Sequence, residues 1–132
     1  MIPTSRPIQT STVSVLITTY ARENADHLKD ALKSITTQTE KADEIILVVD
    51  GPVDHRQLSV INTLSHDAHD QNIRIIHLPE NGGLAHALNH GLAVAHGDYI
   101  MRMDSDDIAL PDRLEIEKFY LDTHPDICLL YT

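Results

Sequence analysis

The chain of 132 residues has one cysteine, so no disulfide can form within it. Cys128 sits in the apolar run Ile127-Cys128-Leu129-Leu130, where a thiol is expected to be a buried, inert hydrophobe. Basic residues are also scarce, with ten Lys and Arg against twenty Asp and Glu, giving a formal net charge of -10. The ten are scattered, so no basic face is expected to meet a phosphate backbone, and nucleic acid is not an expected partner. An acidic chain that handles phosphates needs a bridging cation, because carboxylates and phosphates otherwise repel one another. Long apolar runs are missing too: nothing approaches the ~20 residues that span a bilayer. The first dozen residues contain Pro3 and Pro7 with several Ser and Thr, and lack the apolar centre of a signal peptide. A cytoplasmic location is therefore expected, with membrane contact left to any portion of a longer form outside this chain.

What remains is an ordinary globular balance of 42% hydrophobic and 23% charged residues, which excludes long disordered stretches. Residues 1–12 read as a loose leader and residues 13–132 as one domain. No internal repeat, low-complexity tract or linker divides the chain. The β-branched run 13–18 predicts a first strand covered on both faces. Leu28, Leu32 and Ile35 recur at helical spacing within 24–36, with acidic residues near the amino end where they suit the helix dipole. A second buried strand, 44–49, stops at Asp50-Gly51-Pro52. Leu58, Ile61 and Leu64 mark a second helix, 73–78 a third strand, and Leu84, Leu88, Leu92 and Ala95 the buried stripe of a third helix. The fourth strand, 99–103, runs into Asp104-Ser105-Asp106-Asp107. A further helix follows over 112–122, opened by Pro111, and a last strand over 127–131. Strands alternating with helices predict an α/β fold, a mainly parallel sheet with helices on both faces. Ligands bind such sheets at the carboxyl ends of the strands, where the loop after Thr18, Asp50 and the acidic run all gather.

Two carboxylates one residue apart at the end of a buried strand require neutralisation, and Mg²⁺ or Mn²⁺ supplies it through oxygen ligands shared with substrate phosphates. A solvated acidic turn capping the next helix is the alternative. Asp50 can accept a hydrogen bond from a nucleobase N–H, or it can open the turn at Gly51-Pro52. Asn81-Gly82-Gly83 lets backbone approach a ligand at a helix amino end, or is a plain loop. Nine histidines include the pairs His66/His69 and His86/His90 at helical spacing, yet no cysteine or Glu completes a zinc set. His86, beside the glycine pair, is the histidine best placed to face a ligand. A receiver-type signalling domain is disfavoured because Thr18-Thr19-Tyr20 stands where its acidic pair belongs. An EF-hand is disfavoured because Ala109 replaces the required glycine and Pro111 breaks the loop.

In order and spacing, Val13-Ser14-Val15-Leu16-Ile17-Thr18-Thr19-Tyr20-Ala21-Arg22, the strand ending at Asp50-Gly51, and Asn81-x-Gly83-Leu84-Ala85-x-Ala87-Leu88-Asn89-x-Gly91 resemble glycosyltransferase family 2. So do Gly97-Asp98-Tyr99-Ile100 and Met103-Asp104-Ser105-Asp106-Asp107 followed by Leu110-Pro111-Asp112-Arg113. The resemblance covers the chain from Val13 onward, and the variant with Leu84-Ala85 and Leu88-Asn89 looks like bacterial enzymes that build exopolysaccharide, capsule or lipopolysaccharide sugar chains. It implies a GT-A, Rossmann-like three-layer sandwich and inverting transfer from a nucleoside-diphosphate sugar, often a UDP-sugar, to a saccharide or lipid-linked hydroxyl acceptor. It also implies Mn²⁺ or Mg²⁺ dependence. Thr18 and Tyr20 would line the base pocket, Asp50 would bind the uracil ring, and Asp104 would lie near the ribose and metal. Asp106 would be the direct metal ligand, so Asp104 and Asp106 would act in catalysis through the ion. Thr19, Arg22, Asn81, Gly83, His86, Asn89 and Ser105 complete the donor-binding set that the resemblance implies. Leu88 stands where many relatives have Arg, and Val49 where many have an acidic residue. Relatives of this kind draw the acceptor site and general base from a later half. The resemblance thus implies a donor-binding part cut at its carboxyl end, without its catalytic base, and prone to self-association through the edge at 127–131. A GT-A-like piece kept for binding or assembly without transferase activity is the second reading.

Overall fold

The computed structural model describes residues 11–67 and 71–124. Cys128, the expected strand 127–131 with its associating edge, His69 and most of the expected leader lie outside these. Strand β1 (Val13–Thr19) is followed by helix α1 (Ala25–Thr36), β2 (Glu44–Val49), α2 (His55–Asp67), β3 (Ile73–His77), α3 (Leu84–Val94), β4 (Tyr99–Asp104) and α4 (Arg113–Thr123). The strands form one sheet in the order β3-β2-β1-β4, and every pairing is parallel. The order reverses between β1 and β4, so the crevice that such a fold offers to ligands opens at the carboxyl ends of these two strands.

All six residues of β2 are buried, which is why, after Glu44, its sequence reads as an unbroken apolar run. Along β1 the side chains alternate. Val13, Val15 and Ile17 join Ile45, Leu47 and Val49 of β2 in a core that also takes Leu28, Ala31, Leu32 and Ile35 of α1, Ile61 and Leu64 of α2, and Leu114 of α4. Leu16, Ile46 and Val48 face the other way, onto Ala87 of α3. Helices therefore cover both faces, as expected. Asn24 caps α1 by accepting from the backbone N–H groups of Asp26 at 2.8 Å and His27 at 3.2 Å. Asp54 and Gln57 form a reciprocal box at the start of α2, each side chain accepting from the other's N–H.

Helix α3 departs from the expected stripe. Its buried residues are Ala87 and Gly91, while Leu84 and Leu92 remain about half exposed, at 50% and 48%. The cause is close approach: a Cβ on Gly91 would stand 2.3 Å from Leu16 Cδ1 and 3.2 Å from Val48 Cγ2. The small-residue face of α3 fits at that distance, so Leu84 and Leu92 turn outward while Leu88 and Ala95 of the expected stripe pack, partly buried, at its margin. Thr12, placed in the leader on sequence, donates from its backbone to Asp98, and its carbonyl accepts from the N–H of Tyr99. Ser11 donates to Asp122 at 2.7 Å.

Candidate functional site

The carboxyl ends of the central strands converge through the register itself. Thr18 pairs with Asp104 across β1 and β4, Thr19 pairs with Val49 across β1 and β2, and the Asp50 N–H donates to the Thr19 carbonyl at 2.8 Å. The cleft that results has a volume of about 400 Å³ and is lined by Thr18, Thr19, Tyr20, Glu23, Asp50, Asn81, Gly83, Leu84, Ala87, Asp104, Ser105 and Asp106. The structure thus brings together nine of the residues singled out on sequence, Asp50 and Asp106 among them. Arg22, His86 and Asn89 are not on its wall. The His86 ring lies so close to Gly82 that a Cβ there would meet it at 2.3 Å, and it packs edge-on to His90 with centroids 4.7 Å apart. Asn89 is exposed on α3, and Arg22 is exposed in the loop after β1.

Asp50 is buried, and its carboxylate receives two backbone hydrogen bonds, from Gly82 at 2.9 Å and from Gly83 at 3.1 Å. Asn81 returns a bond from its side-chain amide to the Asp50 carbonyl at 3.2 Å. Asp50 therefore fastens the end of β2 to the glycine loop that opens α3. Each carboxylate oxygen keeps further accepting capacity, so this tie and a ligand contact are compatible. Gly51 makes the tie sterically feasible. Its φ is +92°, and a Cβ there would stand 2.6 Å from the Asn81 backbone nitrogen. On the opposite side Gln57, fully buried, donates to the carbonyls of Tyr20 at 2.8 Å and Glu23 at 3.2 Å, fixing the loop after β1.

The acidic run bends immediately after β4. Carboxylate oxygens of Asp104, Asp106 and Asp107 all lie within 4.8 Å of one another, and all three residues are exposed. No other group of three or more potential ligand side chains comes together in this way among the described residues, His86 and His90 included. Asp107 joins Asp104 and Asp106, the two ligands expected from the sequence, as a third carboxylate of the cluster. Asp107 accepts from the Asp104 N–H at 3.3 Å and donates its own N–H to the Asp104 carbonyl at 3.1 Å, closing a tight turn. Arg102 approaches Asp104 at 3.5 Å, but both side chains are half exposed and the pair is worth little. Three carboxylates so close, with oxygen-only chemistry and open solvent for additional waters, fit a hard divalent cation. A second observation points the same way: among the described residues only three buried side-chain polar atoms lack a partner, and two of them, Thr19 Oγ1 and Ser105 Oγ, belong to residues in this cleft.

A larger groove, about 590 Å³, runs along β4 between α3 and α4, and Asp104 lines both spaces.

Residues 14–131 match the family model described as glycosyl transferase family 2. The chain belongs to that family. An amylovoran biosynthesis glycosyltransferase, AmsE of Erwinia amylovora, is 40% identical over 88% of this chain and 42% of its own length. An uncharacterized glycosyltransferase of Haemophilus influenzae is 38% identical over 86% of the chain and 41% of its own length. The UDP-Gal:alpha-D-GlcNAc-diphosphoundecaprenol beta-1,3-galactosyltransferase of Escherichia coli is 35% identical over 89% and 42%. The chain thus spans about two-fifths of the length of these family 2 relatives. Among solved structures, S. aureus TarS in complex with UDP-GlcNAc superposes with a TM-score of 0.74 at 24% identity, covering 86% of this chain and 32% of that one. The mannosyltransferase PcManGT from Pyrobaculum calidifontis, in complex with GDP-Man and Mn²⁺, gives 0.72 at 24%, over 85% and 32%. These neighbours establish the GT-A fold for the four-stranded parallel sheet and its helices. No helix among the described residues is long and apolar enough to cross a membrane.

Proposed function

We propose that this family 2 chain forms the donor-binding part, residues 13–132, of a glycosyltransferase of bacterial polysaccharide synthesis. In this reading it holds a nucleoside-diphosphate sugar in the cleft between Asp50 and the acidic turn. The observation that carries the reading is the cleft itself: one space is walled at once by the β1 loop, Asp50, the glycine loop and the Asp104-Ser105-Asp106 turn. A base laid against Tyr20 and Asp50 would leave its diphosphate directed toward the carboxylates. UDP is the first nucleotide to test, because a relative at 35% identity is named for a UDP-galactose reaction. A pathway of exopolysaccharide type is supported by the relative named for amylovoran synthesis.

Asp104 and Asp106, joined by Asp107, are the groups that would hold Mn²⁺ or Mg²⁺, which when bound neutralises the leaving diphosphate as charge develops. A fold neighbour solved with Mn²⁺ makes that ion the first choice. Thr18, Thr19 and Tyr20 on one wall and Asn81 and Gly83 on the other orient the donor, so that binding energy far from the sugar fixes the reacting carbon. Ser105 and Thr19 offer hydroxyls to the donor or its waters, restoring partners that they lack in the free cleft. Inverting displacement at the anomeric carbon by a saccharide or lipid-linked hydroxyl would draw its general base from residues outside this chain.

The test is calorimetric titration with UDP in Mn²⁺ and in chelator. Affinity is expected to depend on the metal, and Asp106→Asn is expected to weaken it at least tenfold, the scale of losing a group that supports a bound ion. Equal affinity with and without metal would remove the basis of the reading. Titrations with GDP, CDP and dTDP rank the base.

A further inference from the structure

The acidic turn is fixed at one end by the β4 ladder, where Asp104 pairs with Thr18. Its other end is held by the last turn of α1 and the residues just after it, none of which lines the cleft. Ser34 accepts from the Ala109 N–H at 3.0 Å while donating to its own helix at Ala31. Gln38, buried with 2% of its surface exposed, donates to the Leu110 carbonyl at 2.7 Å and accepts from the Leu114 N–H at 2.9 Å. The Thr39 N–H adds a bond to the Pro111 carbonyl at 2.8 Å. Residues 109–114 are thus stitched to the carboxyl end of α1, immediately beyond the three carboxylates. Within 104–107, among the described residues, the side-chain ties are those the turn makes to itself, Asp104 and Asp107 bonding to each other's backbone, and the long contact from Arg102 to Asp104 at 3.5 Å.

We infer that Ser34 and Gln38 are positioning residues for the Asp104–Asp106–Asp107 cluster: they clamp the far end of the acidic loop so that its three carboxylates stay together before a cation arrives. The inference rests on the metal-binding reading given above. Three like charges within 4.8 Å repel, and a loop of this length held at one end only would relax by spreading them. Pinning both ends removes that freedom, so less ordering remains to be done on binding. Gln38 acts at two points, and its amide is matched to them: the carbonyl of Leu110 needs a donor and the N–H of Leu114 an acceptor, which only a side-chain amide supplies together.

Gln38→Leu would strand both of those backbone groups and destabilise the whole chain, which would blur its effect on the loop, so the informative variant is Ser34→Ala, with Ser34→Thr restoring the hydroxyl. Two measurements on the full chain separate the links. Backbone hydrogen exchange reads the clamp without any ligand: amides of 104–110 are expected to exchange about tenfold faster in Ser34→Ala, with those of β1 and β2 unchanged. Titration with Mn²⁺ alone, followed by the paramagnetic resonance of the free ion, reads the consequence. Affinity is expected to fall about three- to tenfold in Ser34→Ala and to return in Ser34→Thr. Unchanged exchange in Ser34→Ala overturns the clamp. Faster exchange with unchanged Mn²⁺ affinity overturns its positioning role and leaves a purely structural one. Absence of Mn²⁺ uptake by the unmutated protein, with the exchange result intact, fails the metal reading and takes the positioning role with it.

Discussion

Replacing Asp50 by Asn tests how the two sides of the cleft are joined. The Asp50 carboxylate is buried and accepts one N–H from Gly82 and one from Gly83, at 2.9 and 3.1 Å. Hydrogen bonds to a charged acceptor contribute roughly 1.5–3 kcal/mol each. Asn keeps one oxygen and places an NH₂ against the other N–H, so it loses one bond outright and turns its partner into a facing donor. The remaining bond loses its charge assistance. The sum is a loss of about 2–3 kcal/mol. For a domain of this size each kcal/mol moves the midpoint by roughly 3–5 °C, so Asp50→Asn is expected to melt about 10 °C lower. Thermal unfolding followed by circular dichroism in metal-free buffer measures it without any ligand. A drop of less than about 2 °C would refute the tie and return Asp50 to the role of a ligand contact alone. UDP titration of the same variant then separates the two roles, because a residue that only ties the loop loses affinity no faster than the loop loses order.

Gly91→Ala should destabilise the chain by about 1–2 kcal/mol, despite the better helix propensity of Ala, because its Cβ would overlap the enclosed Leu16 Cδ1 at 2.3 Å; chemical denaturation with an unchanged slope checks it, and a gain in stability would mean that α3 can lift off the sheet freely. Glu44 provides a pH test: burial alone raises its pKa, but hydrogen bonds from the His96 backbone and the Ser14 hydroxyl outweigh that, leaving it below its ordinary value of 4.5. The folded-state value being depressed, the stabilisation is complete above 4.5 and is lost as the pH falls through the lowered value, so the stability gap between the unmutated chain and Glu44→Gln should narrow over that acid range and stay constant above it.

The centre of the sheet was readable because β1 and β2 are buried on both faces and write their burial as largely apolar runs; β3 and β4 are partly exposed and carry Arg74 and Arg102 among their apolar residues. At helix α3 Leu88 and Ala95 of the expected stripe do pack against the core, but Leu84 and Leu92 face outward, against hydrophobic periodicity, which assumes that the largest apolar residues go inside. A glycine that allows close approach reverses this, and the pattern Ala87-x-x-x-Gly91 carries the signal to anyone weighing size before hydropathy. Gln38 and Gln57 were invisible for a different reason. Each sits in a polar stretch that reads as surface, and its partners lie far along the chain, at Leu110 and Leu114 for Gln38 and at Tyr20 and Glu23 for Gln57. Asp107 was within view, since a third carboxylate in the run needed only the turn that folds it back onto Asp104.

The two ends of the sheet hold similar chemical groups and treat them oppositely. At the amino end Glu44 is buried, yet its carboxylate accepts from the Ser14 hydroxyl at 2.6 Å and from the His96 N–H, and Ser14 in turn accepts from Gly97. Every polar atom named there has a protein partner, so the network is complete as folded and works as structure. At the carboxyl end the carboxylates of Asp104, Asp106 and Asp107 are left exposed beside one another, and the hydroxyls of Thr19 and Ser105 are buried without partners. Such an arrangement is costly in the free protein, through charge repulsion in the first case and unmade hydrogen bonds in the second. In the proposed reading a cation and a polar ligand would relieve these costs, and the same backbone that leaves them unrelieved is held by Gln57 on one side and Ser34 and Gln38 on the other. Rigid support around unsatisfied groups is what a binding site needs, and it is this that supports the proposed donor site at the crevice between β1 and β4.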